Sequence, residues 1–475
     1  MARSELLESI KAKKTAIVGL GISNVPLAEF LSNISNALTL RDKKERDALD
    51  SRLSALESKG AVLKLGEKYL DDLVEDIIFR SPGIRPDIPE FSLAVQNGAT
   101  LTSETELFFE LCPADIVAIT GSDGKTTTTT LTGLILNASM KAEGKTHTAY
   151  VGGNIGIPMI PLLEKLTADD LAVCELSSFQ LQTAKKSARV AVITNISPNH
   201  LNWHTDMDEY ISAKTNVFSR GGCEMLVTNA ENGICLDIAK NTDIKTVLFS
   251  SKKRPEADSF RKIWLEDGNI IYENENGERE IIIKESDIKL PGIHNRENYM
   301  CAIAATLACG LSIDAVKQGA REVALTFGGV EHRLEFVREI DGVSFFNSSI
   351  DSSPSRTAAA LSTFKDKNSI LICGGSDKNI PFDTLAEDLI RCAKGVVITG
   401  EAGPKIYAAL TASPNFADCK LKVIREPDFE NAVKVAYSLA AEGDRVLLSP
   451  ACASFDAFKN FEERGRRFKA IVNAL

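Results

Sequence analysis

The sequence predicts an α/β protein built from three domains. Its 475 residues correspond to about three domains at roughly 150 residues each. Short runs rich in Val, Ile and Leu alternate with helical patterns, from TAIVGL near the start to RVLLSP near the end, as is typical of parallel sheets. Gly-rich turns follow several runs and place strand, turn and helix in that order. We expect mostly parallel sheets throughout, with Rossmann-like first and last domains.

Composition and charge narrow the class of protein. Charged residues make up 25% of the chain and hydrophobic residues 44%, which excludes a mostly disordered, collagen-like or coiled-coil chain. The 55 basic and 65 acidic residues give a net charge of −10. Nucleic-acid binding needs a basic face, so no nucleic-acid partner is expected. An anionic ligand remains compatible, because helix N-termini bind phosphate locally.

Cysteine usage and hydropathy predict a cytoplasmic protein without a membrane partner. The ten cysteines include no CxxC pair, so neither a zinc knuckle nor a disulfide framework is predicted. The first residues, MARSELLESIKAKK, contain no apolar core of a secretory signal. The longest apolar stretch, residues 299–311, is 13 residues long; that is too short for a bilayer and predicts a buried helix.

Two boundaries divide the predicted domains into residues 1–103, 104–329 and 330–475. Ser103 and Glu106 have capping-box spacing before an apolar run, so a helix is expected to begin there. Two glycines in TFGGV, residues 326–330, separate a helical pattern from the strand-like LEFV. The charged segment 251–290 contains IIYENENGEREIII and predicts a hairpin at the edge of the middle domain.

The strongest motif is DIVAITGSDGKTTTTT at residues 115–130. A buried strand runs into a Gly-rich turn whose N–H groups can face a phosphate, and a helix follows. Lys125 can reach the β- and γ-phosphates, and a Thr hydroxyl can bind Mg²⁺. The general pattern GxxxxGK has a glycine where Ile119 stands here. The alternative is an ordinary glycine turn before a Thr-rich helix; the motif favours a central domain of the P-loop ATPase type.

Three further patterns leave alternatives open on the residues alone. Glu175 ends the strand LAVC and suits either a Mg²⁺ ligand or a solvated strand end. His200 and His204 are four residues apart, as in some zinc sites. The segment NISPNH is typical of a loop, however, which favours an interpretation without zinc. His204 is then expected at the surface or behind the residues that bind the ligand. Gly19-Leu-Gly21 with Asp42 downstream fits either a dinucleotide site or a tight turn.

The loop TGSDGKTT resembles the ATP loop of the Mur ligases and the folylpolyglutamate synthetases. Further segments that match the Mur ligases occur in the same order, namely GGNIG at 152–156, ELSSFQL at 175–181, NISPNHLNWH at 195–204, HNRENYMCAIAA at 294–305, EHR at 331–333 and SPACASFDAFKNFEERG at 449–465. The chain is therefore identified as similar to the Mur ligase family over nearly its whole length. ELSSFQL and the last segment favour D-glutamate as the amino acid and do not suit a folylpolyglutamate synthetase.

The resemblance implies four groups of site residues. ATP would be bound by Gly121, Ser122, Asp123, Gly124, Lys125, Thr126, Thr127, Asn295, Asn298 and Arg333. Two Mg²⁺ ions would be held by Thr126, Glu175, His200 and Lys214, with Lys214 carrying a carbamate, and catalysis would use Lys125, Glu175, His200, Lys214 and Arg333. The UDP-linked substrate would contact Ser23, Asn24, Arg41, Asp42, Ser81, Gly83, Asn154, Ser177 and Gln180, and the amino acid Ser352, Lys378, Ser454 and Phe461.

The implied activity is ATP-dependent amide ligation through an acyl phosphate, with UDP-N-acetylmuramoyl-L-alanine and D-glutamate as substrates, by a cytoplasmic monomer. One segment departs from the family pattern, because Ser348 and Ile350 stand where the family often has an acid and a lysine, and Asp351 is shifted by three. Two alternatives therefore stay open: a related ligase with another amino acid, or a nucleotide-binding relative with impaired catalysis. On the residues alone, Lys214 also fits an exposed helical lysine, and Phe461 a core position.

Overall fold

A computed structural model describes residues 3–154, 157–256, 260–364, 366–377 and 380–475. Within these ranges the chain forms α-helices and β-strands in alternation. The strands are β1 (Lys14–Val18), β2 (Ala37–Asp42), β3 (Val62–Leu65), β4 (Ile77–Arg80), β5 (Thr100–Thr102), β6 (Asp115–Thr120), β7 (Ala149–Gly153), β8 (Leu171–Glu175), β9 (Val190–Ile193), β10 (Met225–Asn229), β11 (Lys245–Ser250), β12 (Arg261–Glu266), β13 (Asn269–Glu273), β14 (Arg279–Lys284), β15 (Glu335–Ile340), β16 (Val343–Asn347), β17 (Ser369–Gly374), β18 (Ala393–Thr399), β19 (Lys422–Arg425) and β20 (Arg445–Leu448).

The helices mostly follow strands, as a parallel sheet requires. They are α1 (Arg3–Ala12), α2 (Asn24–Ser32), α3 (Leu53–Ser58), α4 (Pro89–Gln96), α5 (Glu104–Leu111), α6 (Lys125–Ala142), α7 (Ser178–Leu181), α8 (Met207–Ser219), α9 (Gly233–Lys240), α10 (Ile293–Ala308), α11 (Ile313–Thr326), α12 (Pro354–Ser362), α13 (Asp383–Cys392), α14 (Gly403–Ala412), α15 (Phe429–Leu439) and α16 (Phe461–Ala474). Three short 3₁₀ turns lie at Arg46–Ala48, Ile160–Glu164 and Glu285–Asp287.

In the described part of the chain the strands form three sheets, which confirms the predicted α/β class. The first has the order β3-β2-β1-β4-β5 and is parallel. The second has the order β14-β13-β12-β11-β10-β9-β6-β8-β7 and is parallel except at its β12-β13-β14 edge. The third has the order β15-β16-β20-β17-β18-β19, with only the β15–β16 pair antiparallel.

Several locally predicted elements are present. The Ser103 side chain caps α5 by accepting from the Glu106 backbone N–H at 3.2 Å. The segment rich in glutamate forms the antiparallel β13–β14 pair at the edge of the second sheet. The apolar run from residue 299 lies in α10 and is buried. These elements follow from capping and hydropathy, which act within a few residues of sequence.

The chain clusters into two compact units rather than three. One unit comprises Met1–Asp287 and Arg296–Ala324, and so includes the first two sheets. The other comprises Ile288–Asn295 and Leu325–Leu475 and includes the third sheet. The three predicted domain ranges each contain one sheet, and their boundaries stay a prediction.

None of the helices in the described ranges is long and apolar enough to cross a membrane. All ten cysteines are free thiols in this structure.

Candidate active site

The predicted phosphate loop is a tight glycine-rich turn between a buried strand and a long helix. β6 ends at Thr120 and α6 begins at Lys125. Gly124 caps α6 with a φ of 79°, in the left-handed region that glycine adopts without strain. The Lys125 ammonium donates to the carbonyls of Gly121 and Ser122, each at 2.9 Å. The lysine therefore lies folded over the loop, beside the N-terminus of a helix that can receive an anion.

Neighbouring side chains leave room only for glycine in this loop. A β-carbon at Gly121 would collide with the Thr194 hydroxyl, and one at Gly124 would lie 2.5 Å from Oδ1 of Asn298. That same Oδ1 accepts a hydrogen bond from Thr128 at 3.1 Å. Asn298 therefore lies against the loop from α10, as its predicted role in ATP binding requires.

The phosphate loop interlocks with the segment after β9. The backbone N–H of Ser122 donates to the Asn195 carbonyl at 2.9 Å, and that of Asp123 donates to the Asn195 side chain at 3.0 Å. The Ser122 hydroxyl donates to the Ser197 carbonyl at 3.0 Å. The hydroxyl of Thr194 donates to the Asp123 carbonyl at 2.6 Å. These bonds hold the phosphate loop and the loop of His200 as one structure.

Lys214 is buried, not exposed on its helix. It lies in α8 with 2% of its surface exposed, and its ammonium donates to the Gly121 carbonyl at 2.7 Å. The ammonium also lies 4.7 Å from the ring centre of Tyr210. Burial, assisted by the positive charge of Lys125, lowers the pKa of Lys214 to about 7. A large neutral fraction at neutral pH is what carbamate formation on this amine requires.

Glu175 presents a buried carboxylate at the carboxyl end of β8. Its Oε1 accepts from the Asn154 side chain at 3.1 Å, so these two predicted site residues are in contact. Its Oε2 is buried and has no hydrogen-bond partner among the described residues. Buried polar atoms are rarely left unsatisfied in a folded protein. An orphaned carboxylate oxygen at a strand end is a position that a divalent cation would satisfy.

His200 occupies a constrained position in the loop that precedes α8. Its φ of 55° lies in the left-handed region, which is uncommon for a side chain other than glycine. Its ring packs edge-to-face on Phe179 with centroids 4.9 Å apart. Partial burial, together with the charges of Lys125 and Lys214, lowers the pKa of His200. This shift favours the neutral imidazole, which is the form that binds a metal.

His204 supports this loop from the interior. It is 2% exposed, so the expectation of a surface position is wrong. Its Nε2 lies 2.9 Å from the Ser178 hydroxyl, and its Nδ1 lies 3.3 Å from Oε2 of Glu209. Among the described residues, no group of three or more His, Cys, Asp or Glu side chains could hold a metal ion. The expectation that His200 and His204 do not form a zinc site stays a prediction.

The implied Mg²⁺ set still fits the residues present. Of the four implied ligands, Glu175 supplies a carboxylate and His200 an imidazole. The Oε2 atom of Glu175 accepts no hydrogen bond from a described residue and could therefore bind a cation. Thr126 lies in the first turn of α6, where P-loops place the hydroxyl ligand. A carbamate on Lys214 would add a second anionic group.

A cavity of about 630 Å³ lies at the carboxyl end of the first sheet. Its lining includes Gly19, Asp42, Ser81 and Gly83. The last three of these are predicted contacts of the UDP-linked substrate, so they share one cavity. The Asp42 carboxylate accepts from the backbone N–H groups of Leu20 at 2.6 Å and of Lys44 at 2.8 Å, which fixes the first loop. This position is the usual ligand site of an open parallel sheet.

Two residues named as substrate contacts in this domain, Arg41 and Asn24, are held by partners within the chain, and their contact with the substrate stays a prediction. The Arg41 guanidinium is fully buried, forms an ion pair of 2.9 Å with Glu75 and donates to nearby carbonyls, so its side chain is outside the cavity. A buried guanidinium needs such partners, and the sequence did not show where Glu75 lies. Asn24 is also buried and donates to the Gly19 carbonyl at 2.8 Å, while Ser23 is the N-cap of α2.

Ser177 and Gln180 form a capping box at the start of α7. The backbone N–H of Ser177 donates to Oε1 of Gln180 at 2.9 Å, and the backbone N–H of Gln180 donates to the Ser177 hydroxyl at 3.3 Å. The two side chains thus fix the turn that follows Glu175. Their predicted contact with the UDP-linked substrate stays a prediction.

In the second compact unit, Arg333 is exposed on a strained turn. His332 and Leu334, on either side of it, have φ values of 66° and 46°. His332 is buried and its Nδ1 lies 3.0 Å from the Asn347 side chain. Arg333 is exposed between His332 and Leu334, and its contact with the ATP phosphates stays a prediction. Asn295, also in this unit, donates to the Pro291 carbonyl at 2.7 Å.

Three of the four predicted amino-acid contacts fall within the described part of the second unit. Ser454 is buried and follows β20. Phe461 begins α16, and its carbonyl accepts from the Ser349 hydroxyl at 2.8 Å. Ser352 precedes α12, and Lys378 lies outside the described residues.

The segment that departs from the family pattern is an interior junction. The Ser348 hydroxyl accepts from the Leu334 backbone N–H at 3.1 Å, and the Asp351 carboxylate accepts from the Ser449 hydroxyl at 2.8 Å. Buried Arg464 donates to the Ser349 carbonyl at 2.9 Å. The serines therefore connect the Arg333 turn to the third sheet.

Sequence reasoning missed a set of residues around the His200 loop, namely Arg80, Arg85, Glu209 and Tyr210. Tyr210 has its hydroxyl 2.9 Å from that of Ser122. Arg85 pairs with Glu209 at 3.0 Å across 124 residues of sequence. Helical periodicity could have placed Tyr210 near Lys214, because four residues separate them. The arginines gave no local signal.

Comparison with known sequences shows similarity over the whole chain. A Mur ligase middle domain profile matches residues 119–306, and a Mur ligase glutamate ligase domain profile matches residues 332–452. The chain is 47% identical to UDP-N-acetylmuramoylalanine–D-glutamate ligase from Acetivibrio thermocellus, over 99% of this chain and 98% of that protein. It is 44% identical to the enzyme of the same name from Clostridium tetani, over 99% of both chains.

A solved structure shares the fold. The UDP-N-acetylmuramate–alanine ligase from Thermotoga maritima aligns with a TM-score of 0.56 at 21% identity, over 97% of this chain and 99% of that one. The match covers all three sheets of the chain, so the three-sheet architecture occurs in an experimental structure.

Proposed function

The chain belongs to the Mur ligase family, and we propose that it joins D-glutamate to UDP-N-acetylmuramoyl-L-alanine with conversion of ATP to ADP and phosphate. We place this reaction in the cytoplasm, as a step of peptidoglycan precursor synthesis. The observation that carries the proposal is the contact between Lys214 and the phosphate loop: its amine lies 2.7 Å from the Gly121 carbonyl and has a pKa of about 7. A buried lysine next to an ATP loop has no structural need to be there, because burial of its charge costs free energy.

The first step transfers a phosphoryl group. A carboxylate oxygen of the L-alanine attacks the γ-phosphorus of ATP, the bond from that phosphorus to the β–γ bridging oxygen breaks, and ADP leaves. Such a transfer depends on positioning and on neutralising negative charge. Lys125, folded over the loop at 2.9 Å from two carbonyls, is a mobile charge for the phosphates, and Arg333 is the second.

The second step forms the amide. The neutral amine of D-glutamate attacks the acyl carbon of the acyl phosphate and loses a proton, and phosphate leaves from the tetrahedral intermediate. The carboxylates of glutamate need cationic and hydroxyl partners. Ser352, Ser454, the backbone at Phe461 and, from the sequence, Lys378 are the proposed partners.

Two Mg²⁺ ions would neutralise phosphate charge when bound. Glu175, His200, Thr126 and a carbamate on Lys214 are the groups that would hold them. The carbamate forms when the neutral Lys214 amine attacks the carbon of CO₂ and releases one proton. The low pKa of Lys214 and the orphaned oxygen of Glu175 support this assignment.

The test is amino-acid-dependent phosphate release with ATP, UDP-N-acetylmuramoyl-L-alanine and one of D-Glu, L-Glu, D-Asp, L-Lys or meso-diaminopimelate. We expect D-Glu to give the fastest release, and mass spectrometry to show the nucleotide substrate enlarged by one glutamyl group. Omission of the nucleotide substrate should abolish release.

The outcomes separate the alternatives. Faster release with another amino acid would show a related ligase and would overturn the D-glutamate assignment. ATP binding without release for any amino acid would show a nucleotide-binding relative without catalysis. A folylpolyglutamate synthetase would release phosphate when a folate acceptor replaces the nucleotide substrate in this assay.

A further inference from the structure

Two arginines flank the turn after β4, and this turn lines the cavity proposed for the UDP-linked substrate. Their side chains contact the α7 and α8 regions of the chain. Ser81 and Gly83 belong to this turn, and both line the cavity. Arg80 precedes the turn and Arg85 follows it. Both arginine side chains contact residues that are about 100 or more positions away in sequence. The turn is therefore tied on both sides to α7, α8 and the loops next to these helices.

Arg85 makes the outer tie. Its guanidinium forks onto the Glu209 carboxylate, with Nη2 to Oε1 at 3.0 Å and Nη1 to Oε2 at 3.2 Å. The same Nη1 donates to the Trp203 carbonyl, and the guanidinium carbon lies 5.2 Å from the Trp203 ring centre. Asp87 also binds the guanidinium at 2.8 Å, which orients it. A two-pronged pair of this kind fixes direction as well as distance.

Arg80 makes the inner tie. Its side chain is buried, and Nη2 donates to the Phe179 carbonyl at 3.2 Å and to the Thr183 hydroxyl at 3.2 Å. Phe179 is the residue whose ring packs on His200. Arg80 is thus linked through Phe179 to His200, a predicted metal ligand.

Glu209 links Arg85 to the elements that carry the predicted catalytic residues. It lies in the first turn of α8, five residues before Lys214. Its Oε2 also accepts from the Thr205 backbone N–H at 2.7 Å and lies 3.3 Å from Nδ1 of His204. Its Oε1 accepts from the Gln182 side chain at 2.9 Å. One carboxylate therefore fixes the loop of His200 and the start of the helix that carries Lys214.

We propose that Arg85 and Glu209 are positioning residues for the ligase reaction: they set the distance between the turn that holds the UDP-linked substrate and the loop that carries His200. This inference rests on the proposed function. Neither side chain is assigned to ATP, metal or substrate. Their effect is on where the acceptor carboxylate lies relative to the phosphates, and small displacements of reacting groups reduce rates strongly.

The test compares Arg85→Ala, Arg85→Lys and Glu209→Gln with Arg189→Ala as the matched control. Arg189 also binds two carboxylates, those of Asp115 at 2.7 Å and Glu224 at 2.9 Å, but none of these residues lies in the proposed site. We expect Arg85→Ala to lower kcat/KM for UDP-N-acetylmuramoyl-L-alanine at least about tenfold. The KM for ATP should stay within about twofold, because the contacts of Arg85 are with Asp87, Trp203 and Glu209 and not with the phosphate loop. Arg85→Lys should recover part of the loss, since it keeps the charge but not the fork.

Two further results identify a positioning role. The double variant Arg85→Ala with Glu209→Gln should be no worse than the poorer single variant, because both remove the same contact. A rise in the KM for ATP as large as the fall in kcat/KM for the nucleotide substrate would show a general structural defect and would overturn the inference. So would wild-type kinetics in Arg85→Ala, or a comparable loss in Arg189→Ala.

A fluorescence measurement separates this inference from the proposed function. The chain has two tryptophans, so in a Trp264→Phe background emission reports Trp203 alone. We expect UDP-N-acetylmuramoyl-L-alanine to change acrylamide quenching of Trp203, and Arg85→Ala to remove that change. If the enzyme makes no product but the quenching response is present, the proposed function fails, whereas the link from the substrate turn through Arg85 to the His200 loop stands. If product forms and the nucleotide leaves quenching unchanged, that link fails alone.

Discussion

At the scale of single residues, Lys125 is the side chain whose loss is expected to affect phosphoryl transfer most. Its ammonium donates to two loop carbonyls, from which it can move to the phosphates. We expect Lys125→Ala to reduce ADP formation about 10²–10³-fold, the usual effect of losing one group that stabilises developing charge. Thermal unfolding should change little. Lys141→Ala, an exposed lysine in the last turn of the same helix, is the control. Turnover of Lys125→Ala within about threefold of wild type would contradict the ATP-loop assignment.

Lys214 gives a second residue-scale prediction, with a pH dependence. Lys214→Ala should be nearly inactive and partly restored by acetate, which can replace a carbamate, whereas Lys240→Ala at an exposed helix end should keep full activity. Because burial lowers its pKa to about 7, about half of the amine is neutral at that pH, against less than about 0.1% for an ordinary lysine. Under constant CO₂ pressure, ¹³C NMR with labelled bicarbonate should show a Lys214 carbamate at pH 8 that disappears below pH 7. Full activity of Lys214→Ala would refute the role.

At the scale of elements, the phosphate loop depends on glycine because of its neighbours in space. Gly124 has a φ of 79°, and an added β-carbon would meet Asn298, whereas Gly144 has a φ of 72° and open space around it. Gly144→Ala should therefore lower the free energy of unfolding by about 1–2 kcal/mol, the strain of a left-handed alanine. Gly124→Ala should add at least a tenfold loss of affinity for a non-hydrolysable ATP analogue, measured by calorimetry. Equal affinities in both variants would show that Asn298 gives way.

The edge hairpin carries the other element-scale prediction. Glu273 is buried between Arg254, Lys262 and Arg279, at 2.5–3.1 Å, and these bonds, that from Arg254 foremost, lower its pKa to about 2. A lowered carboxylate pKa stabilises the fold above the unfolded-state value near 4.5, and this contribution is lost as the pH falls through about 2. We expect Glu273→Gln to lower the free energy of unfolding by on the order of 2 kcal/mol at pH 7 and by much less at pH 3.

Urea unfolding at the two pH values measures this difference. Glu275→Gln removes an exposed partner of Arg261 in the same hairpin and should change stability by less than about 1 kcal/mol. A loss for Glu273→Gln that is the same at pH 7 and pH 3 would contradict the assigned cause.

At the scale of the whole molecule, the chain is expected to act as a monomer. Sedimentation equilibrium at micromolar concentration should give the chain mass of 51.5 kDa, and added ATP should not change it. A concentration-dependent mass approaching twice that value would contradict the prediction. A net charge of −10 also predicts no retention on heparin at physiological salt, because such binding needs a basic face.

The sequence predicted features that depend on neighbours along the chain, and it missed those that depend on distant ones. The α/β class, the cap at Ser103 and the loop before α6 follow from hydropathy, capping and glycine spacing. The burial of Lys214 could not be predicted from its helix, because it depends on the Gly121 carbonyl 93 residues away. For the same reason the ion pair between Arg41 and Glu75, which lie on different segments, could not be predicted. Contacts across tens of residues leave no periodic signal in one sequence.

The buried lysine of α8 also predicts how this protein would respond to selection. Between pH 7 and 10.5 the unfolded chain holds a proton on Lys214 that the folded chain releases, so at neutral pH this residue weakens folding. A screen for heat tolerance should therefore favour an apolar residue of similar length at position 214, such as methionine. A screen for turnover should reject the same substitution. The two screens would diverge at this site, and sequences of heat-adapted relatives would retain the lysine only where the chemistry is retained.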